Sequence, residues 1–166
     1  MKSDLFFVDL INKIKLIMKV IALRGEPNIG KTKTLNIVYR RLMADGFKQI
    51  PSMFQDLGHE DILDILKKDN LAVGIATQGD YAIGNAKGDY TVKDHLQTLS
   101  LHRCDIAICA ATLGQGKERI MKAIEQYPDH VFIEKTPCYD LATKDASNVK
   151  FAQEVIEEVM KSMKEK

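Results

Sequence analysis

The chain lacks any apolar run of the roughly 18 residues needed to cross a bilayer. Net charge is nearly absent too. Lys plus Arg (24) against Asp plus Glu (23) leave a formal +1, which gives no electrostatic case for nucleic acid or a membrane surface as partner. Cysteine is scarce and odd in number (Cys104, Cys109, Cys138), and no charged-then-apolar-then-small signal opens the sequence. Free thiols in a reducing, cytoplasmic setting are therefore expected. His59, His95, His102 and His130 show no metal-ligand spacing with those cysteines, which argues against a zinc site. No linker, low-complexity segment or long repeat interrupts the chain, and its 166 residues suit one compact domain. Also missing are a Gly-x-Ser-x-Gly elbow and a nucleophile-and-base constellation.

What the chain does contain, from Lys19 onward, is an alternation of short apolar runs with longer helical patterns. KVIALR (19–24) reads as a buried strand, and KTKTLNIVYRRLMADG (31–46) as a helix with Leu35, Val38 and Leu42 on one face and Gly46 as its stop. KQIPSMFQ (48–55) is a candidate second strand, with Pro51 better suited to an edge than a centre. In residues 60–80 the polar KKDN reads either as a hairpin turn or as the end of a short helix before the strand LAVGIAT. Residues 92–103 and 117–127 read as helices, 104–111 and 130–135 as strands, and NVKFAQEVIEEVMKSMKEK as a long terminal helix. Such alternation predicts an α/β fold, a mainly parallel sheet with helices on both faces in three layers. Residues 1–18 form a helical N-terminal extension in this reading, and 19–166 the single domain. The extension carries Leu5, Val8, Ile11 (or Leu10), Ile14 and Ile17 near helical spacing but few basic residues for a membrane-surface helix. A helix packed on the domain, or residues upstream of a start at Met18, are the plainer alternatives.

Between the first strand and its helix lies GEPNIGKT, in which Gly25, Gly30, Lys31 and Thr32 satisfy G-x-x-x-x-G-K-[ST]. The glycines let successive backbone N–H groups turn inward at the positive end of the helix, where phosphate oxygens are stabilised. Lys31 would reach the β and γ phosphates, and the Thr32 hydroxyl would ligate magnesium. With a strand ending just before and a helix starting just after, the motif has the context that its mechanism requires. At these residues the sequence resembles the P-loop nucleoside triphosphatase superfamily, and its size is most similar to the small nucleoside-kinase-like branch. The resemblance implies a nucleotide seated at the carboxyl end of the first strand, in contact with Gly25, Glu26, Pro27, Asn28, Ile29, Gly30, Lys31, Thr32 and Lys33. It implies ATP and Mg2+ as cofactors. ATKDAS (142–147) lacks the spacer of a guanine-reading N-K-x-D segment, so GTP has no support.

Members of that superfamily add an acidic residue at the end of a second apolar strand to hold magnesium. Asp80, a few residues beyond LAVGIAT, is preferred, because that run is the more apolar and the loop after it is glycine-rich. Asp56, closing the earlier strand, is the competitor; Thr77 and Gln78 would orient a water or an acceptor. Lys117 and Arg119 follow Gly114 and Gly116 at a helix start, where they form either a cationic lid over the migrating phosphate or a solvated helix end. The catalytic set is then Lys31, Asp80 and Arg119, and the metal set Thr32, Asp80 and Asp56. The expected function is magnesium-dependent ATP binding with phosphohydrolase or phosphotransferase activity, the latter with a small-molecule or nucleotide acceptor held by residues 77–90 and 114–119. The alternative is a nucleotide-dependent switch that binds a partner protein with little turnover.

Overall fold

A computed structural model describes residues 2–80 and 91–165. The described residues form an α/β fold with a mixed, mostly parallel seven-strand sheet and five helices. In chain order these are α1 (Lys2–Ile17), β1 (Lys19–Gly25), α2 (Lys31–Ala44), β2 (Lys48–Gln49), β3 (Gln55–Gly58), β4 (Asp61–Lys68), β5 (Leu71–Ala76), α3 (Val92–Leu101), β6 (Ile106–Thr112), α4 (Glu118–Glu125), β7 (His130–Glu134) and α5 (Lys144–Lys164). The sheet runs β2-β4-β5-β6-β1-β7, with β3 paired to β4.

β1 and β6 lie at the parallel centre, and both are continuous apolar runs because helices cover both of their faces. Side chains of β1 alternate between two cores. Ile21 and Leu23 pack with Leu35, Val38 and Leu42 of α2 and Phe151, Ala152 and Val155 of α5. Val20 and Ala22 pack on the other side with Leu96 and Leu99 of α3 and Ile120 and Ile124 of α4. α2 stops where Gly46 stands, with Phe47 N donating to Leu42 O at 3.0 Å.

Two expectations need correction. The run 48–55 is not one strand: β2 and β3 are separate short pieces that both pair with β4, and Pro51 lies in the turn between them. A proline has no N–H to give a ladder, so the chain turns there. The sheet is also less uniformly parallel than the alternation suggests, since β2, β3 and β5 all pair antiparallel with β4. KKDN is the hairpin turn joining β4 to β5, with Lys68 opposite Leu71 and Asp69 in the left-handed region at φ 55°. α1 lies against α3 and leaves Leu5, Phe6, Val8 and Ile17 exposed. None of the described helices is long and apolar enough to cross a membrane.

Candidate functional site

The loop from Gly25 to Gly30 turns the chain out of the central strand and into α2. Gly30 has φ 93°, and a Cβ there would sit 2.6 Å from Asn148 Oδ1 of α5. At Gly25 a Cβ would meet Ile29 Cδ1 at 2.4 Å and Lys135 O at 2.7 Å. Both positions therefore exclude a side chain, one through backbone conformation and both through close approach. Ile29 is buried and anchors the loop, while Glu26, Pro27 and Asn28 are exposed. Thr34 ties the helix start down, its hydroxyl donating to Gly30 O at 2.8 Å.

Lys31, the first residue of α2, is only 7% exposed. Its ammonium donates to Gly25 O at 3.1 Å and Glu26 O at 2.5 Å, so it stands in the mouth of the loop. Burial lowers its pKa; the Asp80 carboxylate pulls the other way, and nearby Lys135 adds to the lowering. Lys31, Thr32, Lys33, Asn28 and Gly30 line one side of a cleft of about 270 Å3, and Thr77, Gly79, Asp80 and Thr112 line another.

The carboxylate that touches Thr32 is Asp61. Its Oδ1 accepts from the Thr32 hydroxyl at 3.0 Å and from the Thr77 hydroxyl at 2.9 Å. Asp61 is 8% exposed, and burial raises its pKa against the two hydroxyl bonds, which favour the ionised form. Asp80 lines the cleft, whereas Asp61 stands behind Thr32 and Thr77 outside its lining; the Asp80 carboxylate accepts from the Thr112 hydroxyl at 2.8 Å, while its backbone oxygen accepts from Lys117 Nζ. Asp56 is exposed on β3, where its Oδ1 accepts from Gly58 N at 2.9 Å, and it does not line the cleft. Arg119 is exposed on the first turn of α4, outside the cleft lining; the cation that reaches Asp80 from this end of α4 is Lys117. Of the segment 77–90, residues 81–90 lie outside the described residues.

Asp61 had a signal in the sequence. If KKDN is a two-residue hairpin turn, counting back along both arms pairs Leu63 with Ala76, which brings the start of DILDIL beside the end of LAVGIA. The segment then carries its own carboxylate to the carboxyl end of the parallel strands, where ligands bind in open α/β sheets.

Beside this end of β5, His95 of α3 is buried and its Nε2 lies 3.0 Å from Gln78 Oε1, an acceptor. The contact suits a neutral imidazole that donates. Burial lowers the His95 pKa from 6.5 to about 4, with Asp94 opposing. Because the unfolded chain takes up the proton first, stability present above pH 6.5 is lost as pH falls towards about 4. The full loss is on the order of 3 kcal/mol. Urea titrations across that window should show this dependence in the wild type and a much flatter one in His95→Gln. Equal pH slopes in the two proteins would mean that another group is responsible.

The oxygen donors of Thr32, Asp61 and Asp80 are of the kind a hard divalent cation prefers. Among the described residues, no group of three or more His, Cys, Asp or Glu side chains would hold a metal by itself. A cation that keeps waters and takes phosphate oxygens needs only one or two protein carboxylates. Comparison with protein-family models, curated proteins and solved structures returns no match to the chain.

Proposed function

We propose that the chain is a magnesium-dependent, ATP-binding P-loop nucleoside triphosphatase that hydrolyses or transfers the terminal phosphate. The observation that carries this reading is the convergence of Lys31, Thr32 and Asp80 on one cleft at the carboxyl end of the parallel strands, with Asp61 bonded to the Thr32 and Thr77 hydroxyls beside it. The sheet with helices against both faces supports its assignment to the three-layer P-loop fold. The backbone from Asn28 to Thr32 would present N–H groups to the phosphates, and Lys31 would exchange its two carbonyl contacts for phosphate oxygens. Thr32, Asp61 and Asp80 would hold magnesium. Its contribution when bound is to neutralise charge that develops across the β and γ phosphates. Lys117, already beside Asp80, is the residue best placed to add positive charge on the far side.

One observation favours the switch reading as the alternative. Gly58, His59 and Glu60 are consecutive left-handed residues (φ 85°, 52° and 69°) at the rim of the cleft, pinned by Asp56 and by Asn36 Nδ2 donating to Glu60 O at 3.1 Å. Non-glycine residues in that region cost on the order of 1 kcal/mol each, and such strain gathers in segments with a second arrangement.

Phosphorus NMR of the protein with MgATP and a pool of nucleosides, nucleotides and small metabolites tests both. Magnesium-dependent release of inorganic phosphate makes it an ATPase, and a new phosphate ester makes it a kinase. Tight binding without turnover selects the switch. If calorimetry detects no MgATP binding at all, the P-loop reading fails.

A further inference from the structure

A helix of 16 residues is marginal in water by itself and owes its persistence chiefly to an apolar face that it buries. α1 buries little of one on its own chain. None of its described side chains joins either core of the sheet, and Leu5, Phe6, Phe7, Val8, Leu10 and Ile17 are all exposed, Phe6 at 72% and Ile17 at 67%. Single apolar side chains on a surface are ordinary, but a group of this size on one element marks a contact surface.

Phe6, Leu10, Lys13 and Ile17 follow one another at intervals of four, three and four, which sets them in one line along the helix, the spacing of a coiled-coil seam. Beside the C-terminal half of that line lies a groove of about 450 Å3. Leu10, Lys13 and Ile17 form it with Leu101, the last residue of α3, and with Arg103 and Asp105 just beyond. The Asp105 carboxylate accepts from Ala72 N at 2.9 Å, so the two exposed cations set the sign of the rim. The N-terminal half of the same helix carries the complement: Phe6, its most exposed aromatic, between the exposed carboxylates of Asp4 and Asp9.

We propose that the groove receives Phe6 from a second copy of this chain, so that two α1 helices pair antiparallel about a two-fold axis. Such an axis requires a self-complementary surface, and α1 has one in this sense only. When two helices are set antiparallel about the point midway between Leu10 and Lys13, Phe6 stands opposite the partner's Ile17, and Lys13 falls beside the partner's Asp9. A parallel pair would set Asp9 against Asp9 and Lys13 against Lys13. A lipid surface fits less well, because the charges on either side of Phe6 are acidic, whereas an interfacial helix calls for Lys and Arg.

Sedimentation of the full chain across a micromolar concentration series reads the association. The wild type should run as a dimer that dissociates on dilution. Phe6→Asp should raise the dimer dissociation constant at least about tenfold, the effect of removing an aromatic anchor from its pocket. Asp9→Lys and Lys13→Asp should each weaken self-association several-fold, yet an equal mixture of the two should associate more tightly than either alone, because every charge contact in the mixed pair joins opposite signs. The mixture separates pairing from folding, since a misfolded variant gains nothing from its counterpart. A monomeric wild type, or a dimer untouched by Phe6→Asp, would overturn the proposal, and a mixture no tighter than its parts would overturn the antiparallel pairing. So would a monomer that binds vesicles of phosphatidylserine and phosphatidylcholine and loses them in Phe6→Asp, a result that gives the apolar face to a membrane.

Discussion

Replacing Lys31 by methionine is expected to weaken MgATP binding by about a hundredfold while leaving the free protein as stable as before, or slightly more so. The two effects have separate causes. A charge-assisted hydrogen bond to phosphate is worth about 1.5–3 kcal/mol, and the ammonium is the only part of the side chain that makes it. In the free protein that ammonium carries a desolvation cost, visible as the lowering of its pKa by burial. A lysine pKa lowered on folding means that the charged form is penalised, fully so below the lowered value, and the penalty fades only as pH rises through it. At neutral pH methionine removes the penalty and keeps most of the packing. Neither carbonyl is stranded, because Gly25 O also accepts from Leu113 N at 2.9 Å and Glu26 is exposed. Calorimetry with MgATP and a thermal melt of the metal-free protein check the two halves. Wild-type affinity in Lys31→Met would remove the lysine from the phosphate site.

Asp61→Asn is expected to cost about a hundredfold in magnesium affinity measured in the presence of ATP, and Asp80→Asn about tenfold, the span known for residues that orient a metal and its ligands. The order follows from contact. Asp61 is bonded to Thr32, whose hydroxyl would be the other magnesium donor in the proposed site, whereas the Asp80 carboxylate is bonded to Thr112 on β6. Asparagine keeps an oxygen to accept from Thr32 and Thr77, so the fold should survive. Metal-free stability is expected to be unchanged or higher in Asp61→Asn at neutral pH. Burial raises the Asp61 pKa, which makes the ionised form costly in the fold; that cost sets in as pH rises through the carboxylate range, and an amide does not incur it. Magnesium titrations of the two variants decide between them. If Asp80→Asn proves the more damaging, the principal metal carboxylate is Asp80, the choice made from sequence.

Much of the frame was readable because its signals are local. The apolar runs of β1 and β6 and the patterns of α2 and α5 fall within a few residues of the observed bounds. A continuous apolar run or a 3.6-residue period needs no knowledge of distant partners. GEPNIGKT is legible for the same reason, since the strand, the turn glycines and the helix start are consecutive. KKDN was ambiguous because a short amphipathic stretch such as DILDILKK fits a helix or a strand until its neighbour is known.

The sequence alone thus determined the loop chemistry of Gly25, Gly30, Lys31 and Thr32 and the alternation of elements around it. Only tertiary structure decided which carboxylate stands by Thr32 and which residues flank the loop. Asp61 comes from 29 positions downstream through the register of an antiparallel hairpin, and Asn148 from 114 positions away, measured from Thr34, through the packing of α5 on α2. Strand register and helix packing are set by burial of whole faces, a sum over many side chains. No short stretch of sequence carries that sum: the hairpin reading of KKDN points towards Asp61, but only the folded chain fixes it as the acidic partner of Thr32.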